Sequence, residues 1–426
     1  MAKLLPLASL TAAGVIASSA AFACDDPVKV GVLHSLSGTM AISETTLKDT
    51  MLLLIENQNA AGGVLGCEIE AVVVDPASDW PLFAEKAREL LTVSEVDVIF
   101  GSWTSVSRKS ALPVLEELNG LMFYPVQYEG EESSKNVFYT GAAPNQQAIP
   151  ATDYFLEEIG VEKFALLGTD YVYPRTTNRI LEQYIQDQGI PEEDIFVNYT
   201  PFGHSDLSTI VSEVVALGAD GKKVGVISTI NGDANVGFYK ELAAQGVSAD
   251  DIPVVAFSVG EEELSGLDTS DLVGHLAAWN YFQSADTEIN DAWVSAWKER
   301  MGEERVTNDP MEAHYIGFNM WVQAAEDAGT TDVGAVREAM YGQEVPNLTG
   351  GTATMLPNHH LTKPVLIGEI TEDGQFDIIS QTEEVPGDAW TDFLPESAVL
   401  VSNWPELGCG MFNTETETCV QIQSNY

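Results

Sequence analysis

The residues able to do chemistry gather in seven short polar segments, each following an apolar run. They are residues 34–39 (His-Ser-Leu-Ser-Gly-Thr), 75–80 (Asp-Pro-Ala-Ser-Asp-Trp), 101–105 (Gly-Ser-Trp-Thr-Ser), 124–128 (Tyr-Pro-Val-Gln-Tyr), 169–174 (Thr-Asp-Tyr-Val-Tyr-Pro), 229–233 (Thr-Ile-Asn-Gly-Asp) and 258–263 (Ser-Val-Gly-Glu-Glu-Glu). Hydroxyls, amides, carboxylates and aromatic rings dominate them, and cations are almost absent. Such a lining hydrogen-bonds a small polar ligand that carries no phosphate. A phosphate site favours a glycine-rich loop with Lys or Arg, and no G-x-x-x-x-G-K-[ST] occurs. Catalysis has little to start from. Six His stand scattered at 34, 204, 275, 314, 359 and 360, without H-E-x-x-H or G-x-S-x-G. Asp170 or Glu261 has the chemistry of a general base, but no nucleophile accompanies either. Adjacent His359 and His360 point to opposite faces of a strand, which reads as a structural pair rather than a metal site. A local role stands beside each functional one. Ser37 and Ser105 suit helix N-caps, Asp75 and Asp79 cap the next helix, Trp103 and Tyr124 suit a core, and Glu261 to Glu263 reads as a solvated helix start.

The elements that must position these segments alternate. Apolar strand-like runs at 28–33, 69–74, 96–100 and 121–124 are separated by helical periodicity at 45–58, 81–91 and 105–118. The pattern resumes with strands at 163–168, 195–199, 224–228 and 254–257 and helices beginning near 176, 205 and 234. Strand–helix alternation implies parallel sheets covered on both faces, so the chain is α/β with two doubly wound Rossmann-like lobes. Helices at 292–301, 311–328 and 333–341 and short strands at 352–355, 365–370 and 376–380 complete those lobes rather than build a third. In open parallel sheets ligands bind beyond the carboxyl ends of the strands, where the polar segments fall.

Composition narrows the partners. The 426 residues carry 19 Lys+Arg against 65 Asp+Glu, a formal net charge of −46, which rules out nucleic acid. Apolar content of 45% is enough for sizeable cores. Residues 1–23 carry Lys3, an apolar run to about Ile16 and Ala21-Phe22-Ala23, the pattern of a cleaved secretory signal peptide. The mature protein is therefore expected to be periplasmic or otherwise outside the cytoplasm. Cys24 would be the first mature residue, yet Ala21 stands where a lipoprotein signal usually has Leu, so lipid anchoring is the lesser reading. Four cysteines in an oxidising compartment suggest disulfides Cys24–Cys67 and Cys409–Cys419, not a zinc site.

At these loops the sequence resembles the substrate-binding proteins of urea ABC transporters. These are a branch of the periplasmic type I family that includes branched-chain amino-acid binders and a short-chain amide sensor. The resemblance rests on VVVDPASDWPLFAEKARELL, FGSWTSVSRKS, FYPVQYEGEESSKNVFYTGAAPNQQAIPA, LLGTDYVYPRTTN, TINGDANVGFYKEL, TNDPMEAHYIGFNMW and PNHHLTKPVLIGEI, and it spans nearly the whole mature chain. The tail from about Val399 and the cysteine at Cys67 depart from it.

The resemblance implies two lobes joined by a three-strand hinge and closing on ligand. The lobes would comprise residues 27–143 plus 280–345, and 144–279 plus 346–426, with crossings near Thr140 to Pro144, Asn280 and Pro346. It implies a non-catalytic monomer without cofactor or metal that takes urea and docks on a membrane ABC permease. Loops holding Trp103, Thr104, Ser105 and Tyr124 would hold the amide, with Tyr171 covering it. Asp170, Thr229, Asn231 and Glu261 would come from the facing lobe. Urea needs a donor at oxygen, such as Ser105, and acceptors at its nitrogens, such as Gln127, Asp170 or Glu261, with Trp103, Tyr124 and Tyr171 as walls. A short-chain amide or a branched-chain amino acid is the alternative ligand. An amino acid would use Ser102, Thr104 and Ser105 as a carboxylate clamp.

Overall fold

The structure, a computed structural model, describes Cys24, residues 26–265 and 267–393, and strands Leu400–Val401, Met411–Asn413 and Thr418–Val420. Residues 1–23 and Cys409 of the expected Cys409–Cys419 pair lie outside the described residues. Strands β1 (Val28–Leu33), β2 (Ile69–Val74), β3 (Val98–Gly101), β4 (Met122–Tyr124) and β5 (Val137–Tyr139) form one sheet, ordered β2-β1-β3-β4-β5. Every pairing in it is parallel. The order reverses at β1, which puts the ends of β1 and β3 at a switch point. Helices α1 (Ala41–Ala61), α2 (Trp80–Glu89) and α3 (Ser105–Leu118) make the crossovers.

Strands β6 (Lys163–Thr169), β7 (Ile195–Thr200), β8 (Val224–Thr229), β9 (Val254–Ala256) and β10 (Leu276–Trp279) form the parallel part of a second sheet. An antiparallel hairpin completes its edge, β11 (Leu366–Ile370) with β12 (Phe376–Gln381). Helices α4 (Ala148–Tyr154), α5 (Val172–Asp187), α6 (Ser208–Leu217), α7 (Ala234–Ala244) and the short α8 (Glu261–Leu264) belong to this lobe. Later helices α9 (Glu288–Met301), α10 (Asp309–Ala328) and α11 (Val333–Met340) return to the first. Near-continuous apolar strands such as Phe164 to Leu167 are buried because helices cover both sheet faces.

Among the described residues, Asn280 ties together passages of the chain between the lobes. Its Nδ2 donates to the carbonyls of Gln146, at 3.0 Å, and Pro364, at 2.7 Å. The third passage was expected near Pro346 and falls instead just after Leu361. Val345, Leu348, Ala353, Met355 and Leu361 all pack into the first core, and Tyr139 N donates to His359 O at 2.9 Å. Beside this passage Lys363 Nζ lies 2.8 Å from Glu312 Oε2, both wholly buried. Cys24 and Cys67 form the expected disulfide, with Cα atoms 5.2 Å apart.

Candidate functional site

The first-lobe wall is built at the start of α3. Thr104 caps this helix by accepting from Ser107 N at 3.2 Å, so Ser105 is released from the capping role. Its hydroxyl donates to Glu129 Oε2 at 2.5 Å. One turn on, the fully buried Arg108 donates to Glu132 Oε1 at 2.7 Å and Ser105 Oγ at 3.3 Å. Its guanidinium stacks 4.4 Å from the Tyr124 ring centroid and 4.8 Å from that of Tyr128. Burial alone would raise the Glu132 carboxyl, but Arg108 and Lys109 outweigh it and hold it well below the usual carboxylate range. Tyr124 donates its hydroxyl to Trp103 O, and burial pushes that phenol up, keeping it neutral.

The facing wall comes from loops after β6, β8 and β9. Tyr171 and Tyr173 lie with ring centroids 6.2 Å apart, and Tyr171 is 6.3 Å from the first lobe's Trp80. Burial raises both phenols well above their ordinary value. Among the described residues, side-chain hydrogen bonds cross between the lobes. Trp103 Nε1 donates to Asn231 Oδ1 at 3.3 Å, Gln127 Nε2 to Ser258 Oγ at 2.7 Å, Ser43 Oγ to Glu263 Oε1 at 2.6 Å, and Thr39 Oγ1 to Asp233 Oδ1. The backbone also approaches closely. Gly232 has φ +68°, and a Cβ there would lie 2.9 Å from Thr39 O. The lobes are closed on one another.

Within this seam, polar atoms remain without a hydrogen-bond partner among the described residues. They include Gln127 Oε1, Glu129 Oε1, Arg108 Nη2 and Tyr173 Oη. Leaving such a buried group unpaired costs about 1–3 kcal/mol. They offer acceptors, a phenolic hydroxyl and a guanidinium N–H, the complement of a small molecule that holds both N–H and carbonyl groups.

The expected residues divide. Trp103, Thr104, Ser105, Tyr124, Gln127, Tyr171 and Asn231 lie at the seam, all buried. Asp170 does not enter it. Its side chain is 44% exposed and pairs with Arg175 at 2.5 Å, a neighbour one helical turn away. Thr229 turns into its own lobe, donating to Leu167 O at 3.0 Å. Glu261 is buried beside the second passage, accepting from Gln283 N at 2.6 Å. The Glu261-to-Glu263 run is thus not a solvated helix start, because Glu263 is held against Ser43 and Gly260. Ser105 is no free donor, since Glu129 accepts from its hydroxyl. Glu129 and Tyr173 were missed by the sequence reading. Glu129 lies one residue beyond the polar segment after β4, and Tyr173 lies within the polar segment after β6.

The sequence matches the family described as periplasmic binding protein domain over residues 28–396. It is 23% identical over 392 residues to Leu/Ile/Val-binding protein homolog 7 of Brucella melitensis biotype 1, covering 87% of this chain and 94% of that protein. A local match of 111 residues, at 34% identity, involves a limonene hydroxylase of Geobacillus stearothermophilus but covers 26% of this chain and 20% of that protein. Among solved structures, a solute-binding protein of an ABC transporter from Rhodopseudomonas palustris HaA2, in complex with p-hydroxybenzoic acid, superposes with TM-score 0.74. Identity is 20%, over 86% of this chain and 99% of that one. A leucine-binding protein from Thermotoga maritima gives TM-score 0.73 at 17% identity, over 84% and 99%. These likenesses show the fold.

Proposed function

The chain belongs to the periplasmic binding protein family, and from that premise we propose that it captures urea between its two lobes and delivers it to a membrane ABC permease. The observation that carries this reading is the set of unpaired polar atoms at the closed seam, Gln127 Oε1, Glu129 Oε1 and Tyr173 Oη. Urea presents four N–H donors and one carbonyl acceptor in a plane, which suits two acceptors and a phenol between the Tyr124 and Tyr171 rings. A ligand that bridges two lobes favours the closed state through contacts the open state lacks. The protein acts as a monomer, without cofactor or metal, and without chemistry on its ligand. The terminal signal pattern and the family's extracytoplasmic setting agree with a periplasmic location. No helix among the described residues is long and apolar enough to cross a membrane.

The second reading is a short amide or a branched-chain amino acid, favoured by the name of the Brucella relative. Against the amino acid, Arg108, the buried cation of this wall, is already paired with Glu132 at 2.7 Å. Thermal unfolding with millimolar urea, acetamide and leucine tests the choice. Ligand at 100 times Kd stabilises by about 2.7 kcal/mol, far above the denaturing effect of millimolar urea, which is on the order of 0.001–0.01 kcal/mol. A raised midpoint with urea and none with leucine is expected. A rise with leucine alone would replace the urea reading with the second.

A further inference from the structure

We propose that Glu129 is the specificity-determining residue of this site, accepting a ligand N–H through Oε1 and excluding carboxylate ligands. The inference rests on the interlobe seam being the ligand site. Glu129 is 1% exposed, and its two oxygens have different surroundings. Oε2 accepts from Ser105. Oε1 has no hydrogen-bond partner among the described residues, for Arg108 Nη2 and Lys109 Nζ each stand 3.7 Å away, beyond hydrogen-bonding reach. Helix α3, which supplies Ser105, packs against α5 of the second lobe, the helix that carries Tyr173.

Two consequences follow for ligand chemistry. First, the hydroxyl that could receive a carboxylate is already engaged, and the guanidinium, although its Nη2 makes no hydrogen bond, is neutralised by the flanking carboxylates. Ser105 Oγ serves Glu129, and Arg108 serves Glu132 and Ser105 beneath the Tyr124 ring. Arg108 and Lys109 are matched in charge by Glu129 and Glu132, so the wall offers no net positive charge to an anion. Second, the carboxylate oxygen left without a hydrogen bond, Glu129 Oε1, is an acceptor. A neutral amide places N–H against Glu129 Oε1, whereas a carboxylate of the same shape places a lone pair there. A site built to pair a donor rejects the analogue lacking it far more strongly than an apolar pocket rejects a change of size. The ligand class is therefore neutral N–H donors, ureas and primary amides.

The test is calorimetric competition on the full mature protein at pH 7. With urea bound to wild type, acetate in hundredfold excess is expected to leave urea in place, whereas acetamide competes better than acetate. Glu129→Gln, which keeps the shape and removes the charge, is expected to weaken urea at least tenfold and to narrow the acetamide-to-acetate ratio. Ser105→Ala, which removes the hydroxyl holding Oε2, is expected to weaken urea three- to tenfold while acetate stays excluded. Displacement of urea by acetate from wild type overturns the proposal, even if the Glu129 variant does not fold. So does wild-type urea affinity in Glu129→Gln. A protein that binds leucine and neither urea nor acetamide refutes the urea reading and this proposal together. Urea binding that ignores Glu129 refutes this proposal alone.

Discussion

Trp103 Nε1 reaches from one lobe to Asn231 Oδ1 of the other, 3.3 Å away, and both side chains are buried. Trp103 stands between β3 and α3, and Asn231 between β8 and α7. The bond exists only while the lobes are together, so it reports closure. Trp103 is thus an interlobe clasp more than a flat wall. Trp103→Phe keeps an aromatic ring and removes the donor, leaving Asn231 Oδ1 unpaired on closing. A neutral hydrogen bond of about 1 kcal/mol predicts roughly fivefold weaker urea binding by calorimetry. Unchanged affinity would remove the clasp from the account.

Gly232 permits the same closure from the backbone side. Its φ of +68° and the 2.9 Å separation of a built Cβ from Thr39 O make two separate demands. Gly232→Ala violates both. Gly232→Asn violates only the second, because Asn tolerates the left-handed region. Both variants are expected to bind urea about tenfold more weakly, with Asn costing less folding stability than Ala. Full affinity in the Asn variant would show that the lobes need not approach this closely.

The pH dependence has a worked sign. Burial lifts the Glu261 carboxyl to about 8, with Glu263 and Asp309 adding to it, and lifts Glu262 to about 7. Their ordinary value is 4.5, so the folded protein holds more protons than the unfolded chain between these limits. Their contribution to stability is complete below 4.5 and is lost as pH rises through 7 to 8. His275, His359 and His360 act oppositely, since burial lowers each from 6.5 to about 4, and stability from them rises with pH across that interval. Above pH 6.5 the histidine contribution is finished, and the melting midpoint is expected to fall toward pH 8. Glu261→Gln should flatten that fall in calorimetric scans. An unchanged slope would contradict the assignment.

Lys363 and Glu312, 2.8 Å apart beside the third passage, are wholly buried. Lys363→Met strands the Glu312 carboxyl, and breaking such a pair costs about 3–5 kcal/mol in denaturant unfolding. The double variant with Glu312→Leu should regain most of that loss. A single variant as stable as the wild type would contradict the pairing.

Much of this fold was legible because its parallel strands are buried on both faces. Val28 to Leu33, interrupted only by Lys29, and Val224 to Ile227 read as apolar runs, and they lie in strands. Val137–Tyr139 and Leu276–Trp279 passed unnoticed, because three or four residues give no period to read. The site was legible to the level of loops. Strand ends pointed to Trp103, Ser105, Tyr124, Gln127, Tyr171 and Asn231, which the fold brings to one seam. Which way each side chain turns depends on local hydrogen bonds that loop composition does not reveal. Thr104 rather than Ser105 caps α3, and Arg175 holds Asp170 outside the seam. Glu129 lies far from Ser105 in sequence, and only the folded loop brings its carboxylate to that hydroxyl.

The most direct measurement is titration calorimetry of the mature protein with urea, and with leucine in parallel. Saturable one-to-one binding of urea, with leucine producing no isotherm, is the predicted result. A leucine isotherm with no heat from urea would contradict the central claim while leaving the two-lobed binding fold in place.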